Sequence, residues 1–300
     1  MSNLKWYKGN LHTHSHGFKE SPHSASNALK WYADHGYDFL CMTEHDHLVD
    51  YDFDRLLLIP GQEVGKAMKS QKGTVHINGF GITRTVEFVD AWDVLPTIQA
   101  NVNAVIEAGG LASINHPNDR YSFDHREILQ TPGARFVEIY NGGGTSKNND
   151  GGPGRMSCEE IWDGVLSGGM VIWGIATDDA HTYDEDLPTR AYPGRGWVHL
   201  RAEELTVPAI LAALNAGEFY ASTGVTLSSL DWSQASISLE VSPVEGVTYT
   251  TTFSGRNGAV LATSDGARAA YAIKGNEGYV RATVRSSTGK KAWTQPVFLK

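Results

Sequence analysis

The sequence has few cysteines and no long apolar run. Only Cys41 and Cys158 occur among its 300 residues, so a thiolate zinc site is excluded and any metal would need histidine and carboxylate ligands. Cys41 lies in an apolar run, and we expect both thiols to be free. No segment approaches the roughly 20 apolar residues of a membrane helix. No signal peptide is visible, so we expect a cytoplasmic protein without a membrane partner, although a signal removed earlier would leave the same sequence.

The sequence also lacks dense basic segments. Its formal net charge is −9, and no cluster of lysine and arginine interrupts that balance. Extended nucleic-acid binding needs such clusters to neutralise phosphates, so we expect none. A local positive site remains compatible with the composition because bound cations are not part of this count. Oligomeric state is left open by the sequence.

Apolar runs of strand length alternate with helical stretches over most of the chain. Strands are predicted at 6–14, 39–43, 56–59, 75–80, 111–114, 136–140 and 171–176, and helices at 24–35, 94–108, 158–167 and 208–216. This alternation favours an α/β fold with a largely parallel sheet. About seven strand–helix units favour a distorted, TIM-like barrel over an open sheet. The Gly-rich stretch 141–154 is predicted to be a long functional loop.

The character of the chain changes after Gly224. From Ser229 to Phe298 no good helix occurs, and short alternating runs of Thr, Ser, Val and Tyr are separated by glycine turns. This pattern is typical of a small all-β domain, and we predict a sandwich. The predicted domains are therefore a barrel over residues 1–224 and a β-sandwich over residues 225–300.

Metal-ligand residues recur where the predicted strands end. His12 and His14 are two apart, so on a strand their side chains share one face. Similar residues follow the later apolar runs, namely His45, Glu63, His116, Asn141, Asp179 and His181. In a (β/α) barrel these strand ends meet at one mouth. His76 is an exception because it lies early in its run.

Together these positions offer eight candidate nitrogen and oxygen ligands. They are His12, His14, His45, Glu63, His76, His116, Asp179 and His181. One tetrahedral zinc needs only four ligands, so the set favours two or three divalent ions that share carboxylates. Imidazole and carboxylate ligands without thiolate fit Zn, Mn or Fe.

The motifs that carry these ligands resemble those of the PHP family, named for its polymerase-associated and histidinol phosphatase members. The matching segments are Asn10–Ser15, Thr43–Asp46, Gly61–Glu63, His76, Asn115–Pro117 and Asp179–His181, in the family's order. The resemblance covers about residues 6–224. It implies a distorted (β/α)7 barrel, a two- or three-metal site and phosphoester hydrolysis. Residues 217–224 with the β domain after them resemble a stand-alone subgroup of predicted phosphoesterases.

One position departs from the family pattern. Family members carry an acid a few residues after the His-x-His pair, and here the text is Ser15-His16-Gly17-Phe18-Lys19-Glu20. Glu20 is our prediction for that ligand, with His16 and His23 as alternatives. The family's Thr-Asp-His is also Thr-Glu-His here, but the ligand His45 is kept.

We therefore predict a metal-dependent hydrolase that cleaves phosphate esters of small molecules with a metal-activated hydroxide. The predicted catalytic residues are His45, Glu63, His116 and Asp179. The predicted substrate-binding residues are Arg120, Asn141, Arg155 and Arg190, with Lys147 and Arg195 as further candidate clamps, and Asp46 and Asp178 as candidates for orientation or proton donation. Two alternatives remain: an amidohydrolase or other ester hydrolase, and a non-catalytic scaffold with a β binding module.

Overall fold

The structure is a computed structural model, which describes residues 4–15, 25–68, 73–144 and 147–299. Strands and helices alternate up to residue 222: β1 Lys5–Asn10, α1 Ala25–Asp34, β2 Phe39–Met42, β3 Leu57–Ala67, β4 Thr74–Phe80, α2 Val94–Glu107, β5 Leu111–Ile114, α3 His125–Ile128, β6 Ala134–Asn141, α4 Cys158–Ser167, β7 Trp173–Thr177, β8 Trp197–Ala202, α5 Val207–Ala216 and β9 Phe219–Ser222. Strands follow: β10 Leu227–Trp232, β11 Ser236–Val241, β12 Tyr249–Ser254, β13 Val260–Asp265, β14 Arg268–Ala272, β15 Tyr279–Ser286, β16 Lys291–Thr294 and β17 Val297–Phe298.

Most of the strands belong to one sheet. Its order is β13-β12-β15-β16-β9-β8-β1-β2-β3-β4-β5-β6-β7, with β17 paired to β15. The pairs β1–β2, β2–β3, β5–β6 and β6–β7 are parallel, so the α/β prediction is confirmed. The predicted closed barrel is not confirmed. Within the described residues no strand ladder joins β7 to β8, and a single bridge between Thr13 and Ala180 links the two ends of this region.

Local end signals explain why the helices were predictable. Helix α4 begins with a capping box, in which the Ser157 hydroxyl accepts a hydrogen bond from the Glu160 amide and the Glu160 carboxylate accepts one from the Ser157 amide. Helix α5 follows Thr206 and ends at Gly217, whose φ of 74° is the left-handed conformation that glycine tolerates. The predicted range of α4 is that of the structure. Helices α1 and α2 end one residue earlier than predicted, α5 begins one residue earlier, and the predicted start of α1 at residue 24 lies outside the described residues. The short helix α3 was not predicted.

Strand β3 departs from the prediction most. The sequence predicted an end at Ile59, because Gln62 and Glu63 are polar, but the strand continues to Ala67. Its second half pairs with β4 in an antiparallel hairpin, where Glu63 faces Asn78. Backbone hydrogen bonds to the neighbouring strand maintain the extended conformation whatever the side chains are. Strands β8 and β9 were not predicted at all.

The C-terminal strands contribute to the main sheet as well as to a small one. Strand β16 pairs with β9, and β15 and β12 extend the main sheet beyond it, while β10, β11 and β14 form a separate three-stranded sheet. The all-β character of this part is as predicted, but a sandwich distinct from the main sheet is not confirmed. Both cysteines are buried and free. No helix in the described ranges has the length and apolar character needed to span a bilayer.

Candidate metal centre

The His12-Thr13-His14 segment lies just beyond the end of β1. Thr13 forms the bridge to Ala180, and the His14 amide donates to the Ala180 carbonyl at 2.9 Å. This pairing keeps the segment extended, so both imidazoles point to one side as predicted. Both side chains are fully buried. The segment that carries Asp179 and His181 is thereby held beside the one that carries His12 and His14.

Four of the predicted ligands converge on one point. His12 Nε2 lies 3.1 Å from His14 Nε2, 3.3 Å from Glu63 Oε1 and 3.3 Å from Asp179 Oδ1. His14 Nε2 lies 3.2 Å from Glu63 Oε2 and 3.4 Å from Asp179 Oδ1. Ligand atoms at the corners of a tetrahedron about 2.1 Å from one zinc ion lie about 3.4 Å apart. The ligand atoms of these four residues therefore have the separations expected around one divalent ion.

Two further groups adjoin this one. His14, His45 and His181 form the first, and Glu63, His76 and His116 the second, each with ligand atoms within 4.8 Å of one another. His14 and Glu63 belong to two groups each, so the three groups interlock. All eight predicted ligands that the structure describes are brought together. Glu20, His16 and His23 lie outside the described residues, so the choice among them stays a prediction.

Strand direction explains the position of His76. Strand β4 runs antiparallel to both β3 and β5, so its beginning lies at the edge where the parallel strands end. His76 is the third residue of β4, and its Nδ1 lies 2.9 Å from Glu63 Oε1. The residue that was the exception in the sequence therefore belongs to the same cluster as the others.

Glu138 supports the cluster from behind, and the sequence analysis missed it. Its Oε1 lies 2.6 Å from His12 Nδ1 and accepts from the Thr177 hydroxyl at 2.6 Å. Its Oε2 accepts from the His116 amide at 2.7 Å and from Asn141 Nδ2 at 2.8 Å. A carboxylate on the far nitrogen of a ligating histidine fixes its tautomer and orientation. The sequence feature that could have identified Glu138 is that it is the one acidic residue inside the apolar run 136–140.

Burial and neighbouring charges set the protonation of the cluster. Burial lowers the pKa of His45 to about 3 and that of His181 to about 4, so both are neutral and able to donate a lone pair. Burial also opposes charge on His12, but Asp179, Glu63 and Glu138 surround it and raise its pKa well above the ordinary value. Despite their burial, Glu63 and Asp179 have lowered pKa values, chiefly because His12 is beside them. The carboxylates are therefore ionised.

A cavity of about 270 Å³ opens onto the cluster. Its walls carry His45, Glu63, His76, His116, Asp179 and His181, and also Asp119, Arg120 and Lys147. Arg120, predicted to bind substrate, is thus at the cavity. Asn141 is buried, does not line this cavity, and donates to Asp179 Oδ2 at 3.2 Å.

Two predicted substrate-binding arginines lie elsewhere. Arg155 lines a different cavity and lies over the Tyr121 ring. Arg190 is on an exposed loop near Asp184 and Glu185. Neither side chain lines the cavity at the cluster.

Asp178 and Arg195 organise a loop beside the centre. Asp178 accepts hydrogen bonds from the backbone amides of residues 194, 195 and 196 at 2.7–2.9 Å and from the Tyr32 hydroxyl at 2.9 Å. Burial raises the pKa of Asp178 to about 6. Arg195 pairs with Asp186 and donates to the Gly142 carbonyl. These contacts favour the orienting role for Asp178 over proton donation to a leaving group.

Comparison with known proteins supports the fold. No protein-family model matches the sequence, and no curated protein matches it either. A two-domain protein from Bacteroides vulgatus containing a predicted PHP-like metal-dependent phosphoesterase is structurally similar, with a TM-score of 0.53 and 15% identity over 94% of this chain and 91% of that one. The chain therefore has a PHP-like fold, which confirms the resemblance at that level. The lesion-specific endonuclease EndoQ from Pyrococcus furiosus aligns over 71% of this chain and 56% of that one, at 13% identity and a TM-score of 0.45.

Proposed function

We propose that the chain is a metal-dependent hydrolase that cleaves phosphate esters of small molecules. The observation that carries the proposal is the interlocked ligand cluster, in which His14 and Glu63 are each shared by two groups. Two or three divalent ions, Zn, Mn or Fe, would be held there. Adjacent ions that share ligands are the arrangement used by many phosphatases and nucleases.

The donor chemistry fits such ions. Six imidazoles and two ionised carboxylates face one another with ligand-like spacing, and Glu138 fixes His12 so that its Nε2 faces the other ligands. Bound ions would supply Lewis acidity and an activated water near neutral pH. The chain's own residues hold this geometry: Asn115 Nδ2 donates to Glu63 Oε1 at 3.0 Å, and Asn141 fixes Asp179.

The cavity supports a small substrate. A volume of about 270 Å³ lies just below the range of about 300–1,000 Å³ usual for small-molecule sites. We assign the reaction to residues 1–224, arranged as a distorted (β/α)7 unit, and a supporting role to residues 225–300. Arg281 on β15 is consistent with the supporting role of residues 225–300. It pairs with Asp163 and Glu159 on α4 and so connects the C-terminal strands to the part of the chain that carries the cluster.

Metal analysis combined with hydrolysis assays tests the proposal. We expect two or three ions per chain and turnover of a nitrophenyl phosphate monoester or of a bis-nitrophenyl diester. His14→Ala removes a ligand shared by two groups, so it should lose metal and activity together. His47→Ala is the matched control, because His47 is exposed and lies outside the cluster.

Other outcomes would favour the alternatives. Turnover of acyl substrates without turnover of phosphate esters would indicate an amidohydrolase or carboxylic ester hydrolase. Less than one ion per chain after reconstitution with Mn, Fe and Zn, together with no turnover, would leave only the scaffold hypothesis.

A further inference from the structure

Lys147 brings a positive charge to the edge of the ligand cluster. Its Nζ lies 2.9 Å from Asp179 Oδ2 and 3.8 Å from Asp119 Oδ2, and the side chain is 14% exposed. The same Asp179 carboxylate presents its other oxygen, Oδ1, to His12 and His14. One carboxylate therefore connects the lysine to the four-ligand group.

The ammonium has donors to spare. A lysine carries three N–H groups, and in the described part of the chain only Asp179 accepts from it within hydrogen-bond distance. Lys147 lines the cavity together with Arg120 and histidines of the cluster, so its remaining N–H groups are available to a ligand there. A buried ammonium with unused donors beside a ligand cluster is suited to binding an anion.

The surrounding loops are arranged to hold Lys147 in this place. A Cβ on Gly143 would come within 2.8 Å of Lys147 Cε and 2.9 Å of Asp179 Oδ2, so the glycine leaves the space through which the lysine reaches Asp179. The next residue, Asn148, donates to the Asn118 carbonyl at 3.1 Å, and Asn118 Nδ2 donates back to the Asn148 carbonyl at 3.1 Å. This reciprocal pair ties the lysine's loop to the segment that bears Asp119 and Arg120.

We propose that Lys147 binds a non-bridging oxygen of the substrate phosphoryl group and selects dianionic phosphate monoesters over diesters. The proposal rests on the function proposed above. A monoester has three non-bridging oxygens, so one can bind the ammonium while the others face the ligand cluster. A diester has only two and carries a second ester group, which must fit into the cavity of about 270 Å³ that Lys147 and Arg120 line. Charge adds to this preference because the monoester carries the larger negative charge.

Titration of inorganic phosphate into the metal-loaded protein tests the role of Lys147 separately from turnover. Lys147→Met should weaken phosphate binding by about 10- to 100-fold, the effect expected for losing a charge-assisted hydrogen bond, while the metal content stays that of wild type. Monoester kcat/KM should fall by a similar factor and diester kcat/KM by less. Lys147→Arg keeps the charge and should retain more phosphate affinity than Lys147→Met. Lys274→Met, on an exposed loop, is the matched control.

Three results would overturn the proposal. The first is that metal-loaded wild-type protein binds no phosphate, and the second is that Lys147→Met binds phosphate as tightly as wild type. A parallel loss of metal and phosphate would instead make Lys147 a support for Asp179. If wild type binds phosphate but hydrolyses neither ester, the proposed function fails, and the phosphate titration still decides the role of Lys147.

Discussion

Replacing Glu138 with glutamine tests whether metal binding depends on a residue that is not one of the predicted ligands but contacts two of them, His12 and His116. Each oxygen of this fully buried carboxylate has two hydrogen-bond contacts: Oε1 with His12 and Thr177, and Oε2 with His116 and Asn141. Burial opposes its charge, but His12 outweighs that effect and lowers the pKa of Glu138. Glutamine has nearly the same shape but no charge and one acceptor oxygen fewer. The variant therefore tests the charge and the hydrogen-bond acceptors of Glu138 without changing the side-chain volume.

The structure sets the size of the effect. Whichever way the amide is oriented, its NH₂ group faces two donors, and a buried donor left without an acceptor costs about 1–3 kcal/mol. The Thr177 hydroxyl can rotate to relieve one such conflict, but the His116 backbone amide cannot. We therefore expect the metal-free variant to lose about 1–3 kcal/mol of unfolding free energy. Metal affinity should fall by about 10- to 100-fold, as for other carboxylates behind a ligating histidine.

Competition with a chromogenic chelator measures the metal affinity, and urea unfolding of the metal-free protein measures stability. Glu245→Gln, at an exposed turn, controls for the loss of one negative charge. A metal dissociation constant within twofold of wild type, in a folded Glu138→Gln protein, would refute the idea that Glu138 positions His12. Loss of stability with unchanged affinity would reduce Glu138 to a packing role.

Two predictions concern stability away from the centre. Arg281 is 2% exposed and pairs with Asp163 at 2.6 Å and Glu159 at 3.0 Å. Arg281→Met should cost about 3–5 kcal/mol in urea unfolding, because it leaves the Asp163 carboxylate without its ion-pair partner, whereas Glu159 keeps Lys291 at 3.6 Å. Arg268→Met, at an exposed pair, should cost less than about 1 kcal/mol, and equal losses would contradict this account. Burial, aided by Lys8, lowers the pKa of His199 to about 4, and its Nε2 accepts from Trp197 Nε1 at 2.9 Å. The unfolded chain therefore binds the extra proton between about pH 6.5 and 4, and wild type should lose up to about 1.4 kcal/mol per pH unit more than His199→Gln as the pH falls through that window; parallel pH profiles would show that His199 titrates normally.

The convergence of the candidate ligands was predictable because their positions follow from strand direction. Parallel strands place their ends at one edge, so polar residues after apolar runs, such as His116 and Asp179, converge without any knowledge of their contacts. Closure of the sheet does not follow from the same pattern. It depends on whether the last strand pairs with the first, and apolar periodicity holds no information on that pairing. Likewise, the polar residues in the second half of β3 gave no sign that the strand continues and pairs with β4 in a hairpin.

The sequence could not identify residues whose roles depend only on contacts formed in the folded structure. Glu138 lies in mid-strand and Lys147 in a glycine-rich loop, so neither has the strand-end position that marked the ligands. The sequence analysis preferred Arg155 to Lys147 as a substrate-binding residue. Of the two, Lys147 reaches Asp179, because Gly143 leaves room for it and the Asn118–Asn148 pair holds its loop. Residues that could contact a metal directly can be inferred from the order of secondary structure. The groups that tune them require contacts between loops far apart in sequence, and this is where substitution experiments on this protein will be most informative.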